Sequence, residues 1–298
     1  EVGHDLIAAG HPRLAFEFAA YERLWPRHWS PRGRAETEAD FGERSWAAGQ
    51  AETLAATARL LAARADRAAD GARGGAVRGI DFAEFDCYAC HRALSPERVA
   101  AGAAGPFRNP APGVPSWQPW AVSAARLMAL SIDDPAGAAV EAAAVDVREG
   151  FGPRWAEGDP DRLGEVAARA RALERAAFFF GAAVARRPRI GLDTAGPRID
   201  AAVAAAAPEW RFWDAATQTY LLMEADRDGG PARLGPGLTG GRAATDTRAA
   251  LDRLRASLRF APGSGGPDRF DPAAFQDDRR ALAPPPAPAF PAPDATGP

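Results

Sequence analysis

The residue types best suited to chemistry in this chain stand together in one short run. Cys87, Cys90 and His91 form the pattern C-x-x-C-H. This pattern is the attachment signature of a c-type haem, because two thiols at this spacing can form thioethers with the two vinyl groups of one porphyrin. The histidine that follows is placed to bind the iron from the proximal side. Since both cysteines of the chain lie inside the pattern, the sequence predicts covalently attached haem c.

Other uses of a C-x-x-C pair fit this sequence less well. A thioredoxin-type dithiol stands in a βαβ setting, and no strand pattern precedes Cys87. A closed structural zinc site takes four ligands, and the chain offers neither a second cysteine pair nor an H-x3-5-H pattern. A disulfide within the motif would close a very short loop and stabilise the fold little, because disulfide stabilisation grows with loop length.

An iron bound by His91 needs a sixth ligand unless that position is open to a substrate. The three remaining histidines, His4, His11 and His28, all lie upstream of the motif. In a continuous helix His11 and His28 would be roughly 25 Å apart, and His4 and His11 about 10 Å apart. One haem can therefore use only one of the three, and the others are structural or serve further haems.

The two methionines fit a packing role. Met128 follows Leu127 on an apolar helix face, and Met223 stands beside Tyr220 and a leucine pair. Flexible thioether side chains in such stripes usually fill gaps in a core. A His/Met haem site stays open as the alternative to His/His ligation.

The elements that must position these residues are helical nearly throughout, so the fold class is predicted to be all-α. Apolar residues at helical spacing predict helices over 12–25, 43–69, 117–131, 135–149, 160–186, 197–225 and 244–259. In the first of these, Leu14, Phe18, Tyr21 and Trp25 share one face. The haem motif falls in the stretch 81–94, which follows a glycine-rich break.

The composition along the chain predicts three parts. Residues 1–131 form a helical haem-binding segment, 132–260 a helical bundle, and 261–298 a disordered tail rich in proline and glycine. The tail is expected to be disordered because it lacks the apolar residues that offset the entropy of ordering.

Charge and hydropathy exclude several partners and sites. The formal net charge of −3 gives no reason to expect a nucleic acid, and no apolar run is long enough to span a membrane. The chain contains no lysine, which excludes a Walker A loop and a Schiff-base lysine. Haem attachment needs reduced thiols outside the bacterial inner membrane, so we expect a periplasmic or otherwise extracytoplasmic location.

The sequence around the histidines resembles a family of bacterial multihaem c-type cytochromes, distantly similar to the tetrahaem cytochromes of nitrification pathways. The resemblance is carried by His4 to Leu14, by Phe16-Glu17, by Pro26-Arg27-His28-Trp29, by Phe82 to His91 with Leu94, and by Trp117-x-x-Trp120. It covers about the first 130 residues. In that family further motifs lie upstream of this block, so we expect a C-terminal segment, with upstream haem domains in the same protein.

The resemblance implies bis-histidine, low-spin haems that pass electrons. Carried over by position, His11 is the first choice as distal ligand of the Cys87/Cys90 haem. His4 and His28 are distal alternatives or ligands of other haems. Arg92 stands where family members often have a second histidine, so any role of that histidine is lost here.

The leading interpretation is an electron carrier with redox partner proteins, not an enzyme. Its first alternative is a multihaem oxidoreductase that acts on a small nitrogen or oxygen compound at an open haem face. A second alternative is a sensor or binding module whose C-terminal helices dock a partner. We expect Tyr21, Trp25, Trp29 and Tyr88 to line the haem pocket or to pack in the core.

Overall fold

The computed structural model describes residues 2–11, 15–25, 41–75, 79–85, 117–132, 134–151, 158–187, 213–227, 242–260 and 270–280. Across these ranges the chain is all-α, as predicted. The helices are α1 (His4–Ala8), α2 (Phe18–Leu24), α3 (Phe41–Arg73), α4 (Pro119–Ser131), α5 (Pro135–Gly150), α6 (Pro160–Arg186), α7 (Trp213–Arg227), α8 (Arg242–Ser257) and α9 (Pro272–Arg280), with a 3-10 turn over Phe82–Glu84. No helix in the described ranges is both long and apolar enough to cross a membrane.

Helices α3 and α6 form the centre of the core, and no other pair of described helices packs as extensively. Positions three and four apart share one face of a helix, and both buried faces are rich in alanine. A Cβ built on Gly181 would lie 3.2 Å from the Cβ of Ala51, so the two helices approach closely there. The buried residues include Ala47, Ala51, Leu54, Ala58, Leu61 and Ala65 on α3, and Leu163, Ala167, Ala170, Leu173, Ala177 and Phe180 on α6.

Helix α5 packs against α4 and α6, and one carboxylate ties its beginning to the end of α6. Asp134 caps α5 by accepting the Ala136 N–H at 2.8 Å, and it also accepts from Arg187 at 2.8 Å. The Arg187 hydrogen bond and the Ala136 amide hold the pKa of Asp134 below its ordinary value of 3.8. The ionised capping residue therefore fixes the angle at which the chain enters α5.

A smaller second cluster is built from α7, α8 and α9. It contains Ala216, Met223, Leu251, Leu254, Leu258, Phe270 and Phe275. Met223 is buried in this cluster, and Met128 is fully buried in the main core. The structure therefore places both methionine side chains where the sequence predicts packing.

The predicted helix over 12–25 is wrong for residues 15–17, which are not helical. The helix begins at Phe18 because Glu17 caps it: the Glu17 side chain accepts the Ala20 N–H at 2.6 Å, and its carbonyl accepts the Tyr21 N–H at 3.0 Å. A carboxylate that satisfies the first free amides sets the start of a helix. The separation of His11 and His28 estimated from a continuous helix therefore does not apply.

The prediction of a disordered tail from 261 onward is wrong for residues 270–280. Helix α9 lies there, with Phe275 and Arg279 buried, and Asp271 caps its first turn by accepting the Ala273 N–H at 2.9 Å. Two phenylalanines within a charged stretch supply enough apolar surface to dock a short helix. Residues 261–269 and 281–298 lie outside the described residues.

The main core crosses the predicted boundary at residue 131. Helix α3 belongs to the predicted haem-binding segment and α6 to the predicted bundle, yet they share one buried cluster. The division into three parts stays a prediction drawn from composition. In packing terms, residues 41–73 and 160–186 belong together.

Phe180 and Phe179 give a matched test of this core, since they are neighbours on α6 with 0% and 61% exposure. We expect Phe180→Ala to lower the free energy of unfolding by about 3–5 kcal/mol, because it leaves a cavity between α3 and α6. Phe179→Ala should change it by less than about 0.5 kcal/mol. Urea unfolding of both variants measures the difference, and equal losses would contradict the described helix orientation.

Candidate haem-binding site

The motif residues Cys87, Cys90 and His91 lie outside the described residues, as does His28. The structure does describe His4 and His11, and it describes the chain up to Phe85, two positions before the first cysteine. The site can therefore be built from the residues that hold the motif's flank. We call residues 79–85 the anchor segment and residues 2–11 the histidine arm.

The histidine arm is a single short helix closed by a glycine turn. Gly10 adopts a left-handed conformation with φ of 95°. Its N–H donates to the Ile7 carbonyl at 2.9 Å, and the His11 N–H donates to the Leu6 carbonyl at 3.1 Å. These two bonds form a Schellman motif, which ends the helix and explains the glycine. His11 is thus an exposed residue just beyond α1, so His4 and His11 do not share one continuous helix.

His4 lies directly against the anchor segment. Its backbone N–H donates to Asp81 Oδ1 at 2.9 Å, and its ring meets the Phe82 ring edge-on with centroids 5.6 Å apart. The Nδ1 atom of the His4 ring lies 3.8 Å from Asp5 Oδ1. The side chain is 46% exposed. The structure therefore brings one of the three spare histidines beside the residues that lead into the haem motif.

A buried carboxylate at Glu84 fixes the anchor segment to the helical core. Glu84 Oε1 accepts from Arg64 Nη1 at 2.6 Å, and Oε2 accepts from Trp117 Nε1 at 2.8 Å. The exposure of the two ionic side chains is 7% for Arg64 and 0% for Glu84. Burial of charged groups this deep is costly unless they are paired and hydrogen-bonded, as both are here. Glu84 therefore joins α3 to Trp117, two positions before α4 begins.

The two ends of the stretch that carries the motif are adjacent. Phe85 and Trp117 form an isolated antiparallel bridge, and both pack on Phe151 with ring centroids 5.2 and 6.4 Å away. Gln118 continues the junction, since its N–H donates to the Glu84 carbonyl at 3.1 Å and its side chain donates to the Ala83 carbonyl at 3.1 Å. Residues 85 and 117, which flank the stretch that contains the motif, are therefore neighbours in the structure.

Large apolar side chains are exposed on the histidine arm and the anchor segment. A porphyrin needs apolar side chains against its faces, and Val2, Leu6 and Phe82 are large apolar residues exposed on the arm and the anchor segment. Within the described part of the chain, no group of three or more potential ligands could hold a bare metal ion. Cys87, Cys90 and His91 would hold the haem, and His4, His11 and His28 stay the candidates for its distal ligand.

Of the four aromatic residues predicted near the haem, the structure describes two. Tyr21 and Trp25 are about half exposed and contact each other with ring centroids 5.0 Å apart, while Phe16 packs on Tyr21 at 5.2 Å. They form an aromatic row beside α2. Trp29 and Tyr88 lie outside the described residues, and pocket lining stays a prediction for all four.

Comparison of the chain with models of protein families, with curated proteins and with solved structures finds no match. The resemblance to multihaem cytochromes stays a prediction from the motifs quoted above.

Sequence reasoning missed the residues that hold the anchor segment, namely Arg64, Asp81 and Glu84. A usable signal existed for Arg64. It stands between Leu61 and Ala65 in the apolar stripe of α3, where a charged side chain requires a buried partner. No comparable signal identifies that partner, because Glu84 is twenty positions away in a stretch without periodic pattern.

The buried pair can be tested against a half-exposed pair of the same type. We expect Glu84→Gln to lower the free energy of unfolding by about 3–5 kcal/mol, because Arg64 would stay buried without its counter-charge. Glu174 pairs with Arg59 at 3.8 Å, with 29% and 71% exposure, so Glu174→Gln should cost less than about 1 kcal/mol. Denaturant titration of both variants measures the costs. Similar values for the two would contradict a buried anchor at Glu84.

Proposed function

We propose that this chain is a c-type cytochrome segment that binds one haem covalently and passes electrons. The observation that carries the proposal is the motif itself: the chain has two cysteines, and both stand in C-x-x-C-H at positions 87 and 90. His91 is the proximal ligand in this proposal. Redox partner proteins and an extracytoplasmic location follow from the same assignment.

The anchor segment, which precedes the motif and is fixed to the core, supports the proposal of an electron carrier. The ligands of a redox centre should keep their geometry when the centre gains or loses an electron, so they must be carried by well-supported elements. Glu84 supplies such support, because it ties the residues before Cys87 to α3. The Arg64 charge neutralises that carboxylate at 2.6 Å. The potential of a bound haem depends on its axial ligands, its burial and the charges nearby. When bound, the haem supplies the one-electron couple.

The position of His4 makes it the better supported distal ligand. Sequence resemblance favours His11, but His11 is exposed beyond the end of α1, whereas His4 is held against Asp81 and Phe82. Metal-binding histidines usually direct their second ring nitrogen towards a carboxylate. The Nδ1 atom of His4 stands 3.8 Å from Asp5 Oδ1, and in this proposal Nε2 would bind the iron.

Covalent attachment is the first prediction to test. Chain produced together with a c-type haem maturation system should carry one haem that survives denaturation, and Cys87→Ser with Cys90→Ser should abolish it, because no other thiol exists. The matched control is Ala89→Ser, which changes the motif without removing a thiol. Haem staining of denatured protein and haem-to-protein stoichiometry give the result. A wild-type chain without covalent haem would refute the proposed function.

Substitution of each spare histidine tests the sixth ligand. We expect the ferric wild-type protein to be low-spin, and His4→Ala to convert it to a high-spin form, while His11→Ala and His28→Ala stay low-spin. Low-temperature electron spin resonance distinguishes the two forms. Loss of the low-spin signal in His11→Ala alone would assign the ligand to His11 instead. A high-spin wild-type protein that binds nitrite or hydroxylamine would favour the oxidoreductase alternative.

A further inference from the structure

The histidine arm and the anchor segment are joined by two separate hydrogen-bonded links. In the first, Asp81 Oδ1 accepts the His4 N–H at 2.9 Å and the Ala83 N–H at 2.8 Å. In the second, Arg64 donates to the Val2 carbonyl at 2.7 Å through Nη2 and to Glu84 through Nη1. The arm is therefore held directly by Asp81 and by Arg64, and Arg64 is in turn paired with Glu84.

In the first link, one oxygen atom accepts hydrogen bonds from the first turns of two helices. The N–H groups of a first helical turn have no partner within the helix and need an acceptor. Asp81 supplies it for α1 and for the 3-10 turn at once, although residues 4 and 81 are 77 positions apart. Five-residue helices are unstable alone in water. Helix α1 therefore depends on Asp81 for its place.

Close contact at Gly3 shows how tightly the arm is seated. A Cβ built on Gly3 would lie 3.0 Å from Asp81 Oδ2. This separation is tighter than ordinary van der Waals contact, so a Cβ at Gly3 would require the Asp81 carboxylate or the arm to shift by a few tenths of an ångström. Gly3 has a backbone φ of −98°, which any residue adopts. Any preference for glycine here therefore comes from the approach of Asp81 and not from the backbone conformation.

The second link is anchored on a buried ion pair. Desolvation makes such a pair weak evidence for stability, whereas removal of one partner is costly. Arg64 donates a further N–H to the Val2 carbonyl. This contact adds nothing to the packing of α3 and α6. The contact is better explained as a link that holds the histidine arm and the anchor segment together than as a contribution to core stability.

We infer that Asp81, and Glu84 acting through Arg64, are positioning residues that hold the histidine arm against the anchor segment, and that in the haem-loaded protein they would keep His4 in place as the distal ligand. This inference rests on the proposed function. Thioethers at Cys87 and Cys90 fix the haem to the chain but do not fix a ligand from the arm. The distal bond then depends on the fraction of molecules in which the arm is seated.

The test compares Asp81→Ala with Asp81→Asn and with an exposed control. Asp81→Ala removes the shared acceptor, so we expect covalent haem to be retained while the high-spin fraction of the ferric protein rises by about tenfold. Asp81→Asn keeps an acceptor oxygen and should restore the wild-type spectrum. Asp70→Ala, at an exposed ion pair with Arg73 on α3, should leave the spectrum unchanged.

Two more measurements separate positioning from general destabilisation. Gly3→Ala perturbs only the arm and should act in the same direction as Asp81→Ala, even if the latter folds poorly. Carbon monoxide binding to the ferrous protein should become faster in both variants by about the same factor, and the His4 amide should lose its protection from hydrogen exchange.

The outcomes keep the two proposals apart. A low-spin wild type whose spectrum and carbon monoxide binding are unchanged in both Asp81→Ala and Gly3→Ala would overturn the positioning inference and leave the proposed function standing. Equal effects of Asp70→Ala would overturn it as well. Absence of covalent haem from the wild type would refute the proposed function itself.

Discussion

The buried ion pair between Arg64 and Glu84 is the constraint on which the site's architecture depends. Both charges are almost fully removed from water, and burial of an ion costs several kcal/mol unless its hydrogen-bonding groups are satisfied. Here they are used fully: Glu84 accepts from Arg64 and Trp117, and Arg64 also holds the Val2 carbonyl. Because each partner would be destabilising alone, the core, the anchor segment and the histidine arm must come together as one unit.

Helix α3 connects this polar junction to the apolar core. Its alanine-rich face packs against α6, where the close contact of Gly181 and Ala51 allows two long helices to lie side by side. Arg64 interrupts that face near its C-terminal end. A long helix fixed by extensive packing is a stiff support, so the position of Glu84 is inherited from the α3–α6 pair. The site thus depends on a helix far downstream of the motif.

The sequence predicts the helices well and their junctions poorly. Helical spacing placed α4, α5, α6 and α8 within a few positions of their observed bounds, because each carries an apolar stripe, and Asp134 and Asp159 also cap α5 and α6. It failed at residues 15–17, where the side chain of Glu17 starts α2, and at α9, whose few apolar residues show no period. The partners of Arg64 and Asp81 depend on contacts between distant segments, for which one sequence holds no local signal.

A covalent attachment motif specifies the attachment and the proximal ligand of a haem, but it does not specify the distal ligand. The two cysteines and the adjacent histidine are neighbours in sequence, so their geometry is local and readable. In the proposed function the distal ligand comes from the first residues of the chain, and no covalent bond determines where it lies. The fold must then supply noncovalent links between the two regions. In this chain those links are backbone amides and carbonyls held by Asp81 and Arg64, groups that any sequence has. Their placement, and not their type, carries the information.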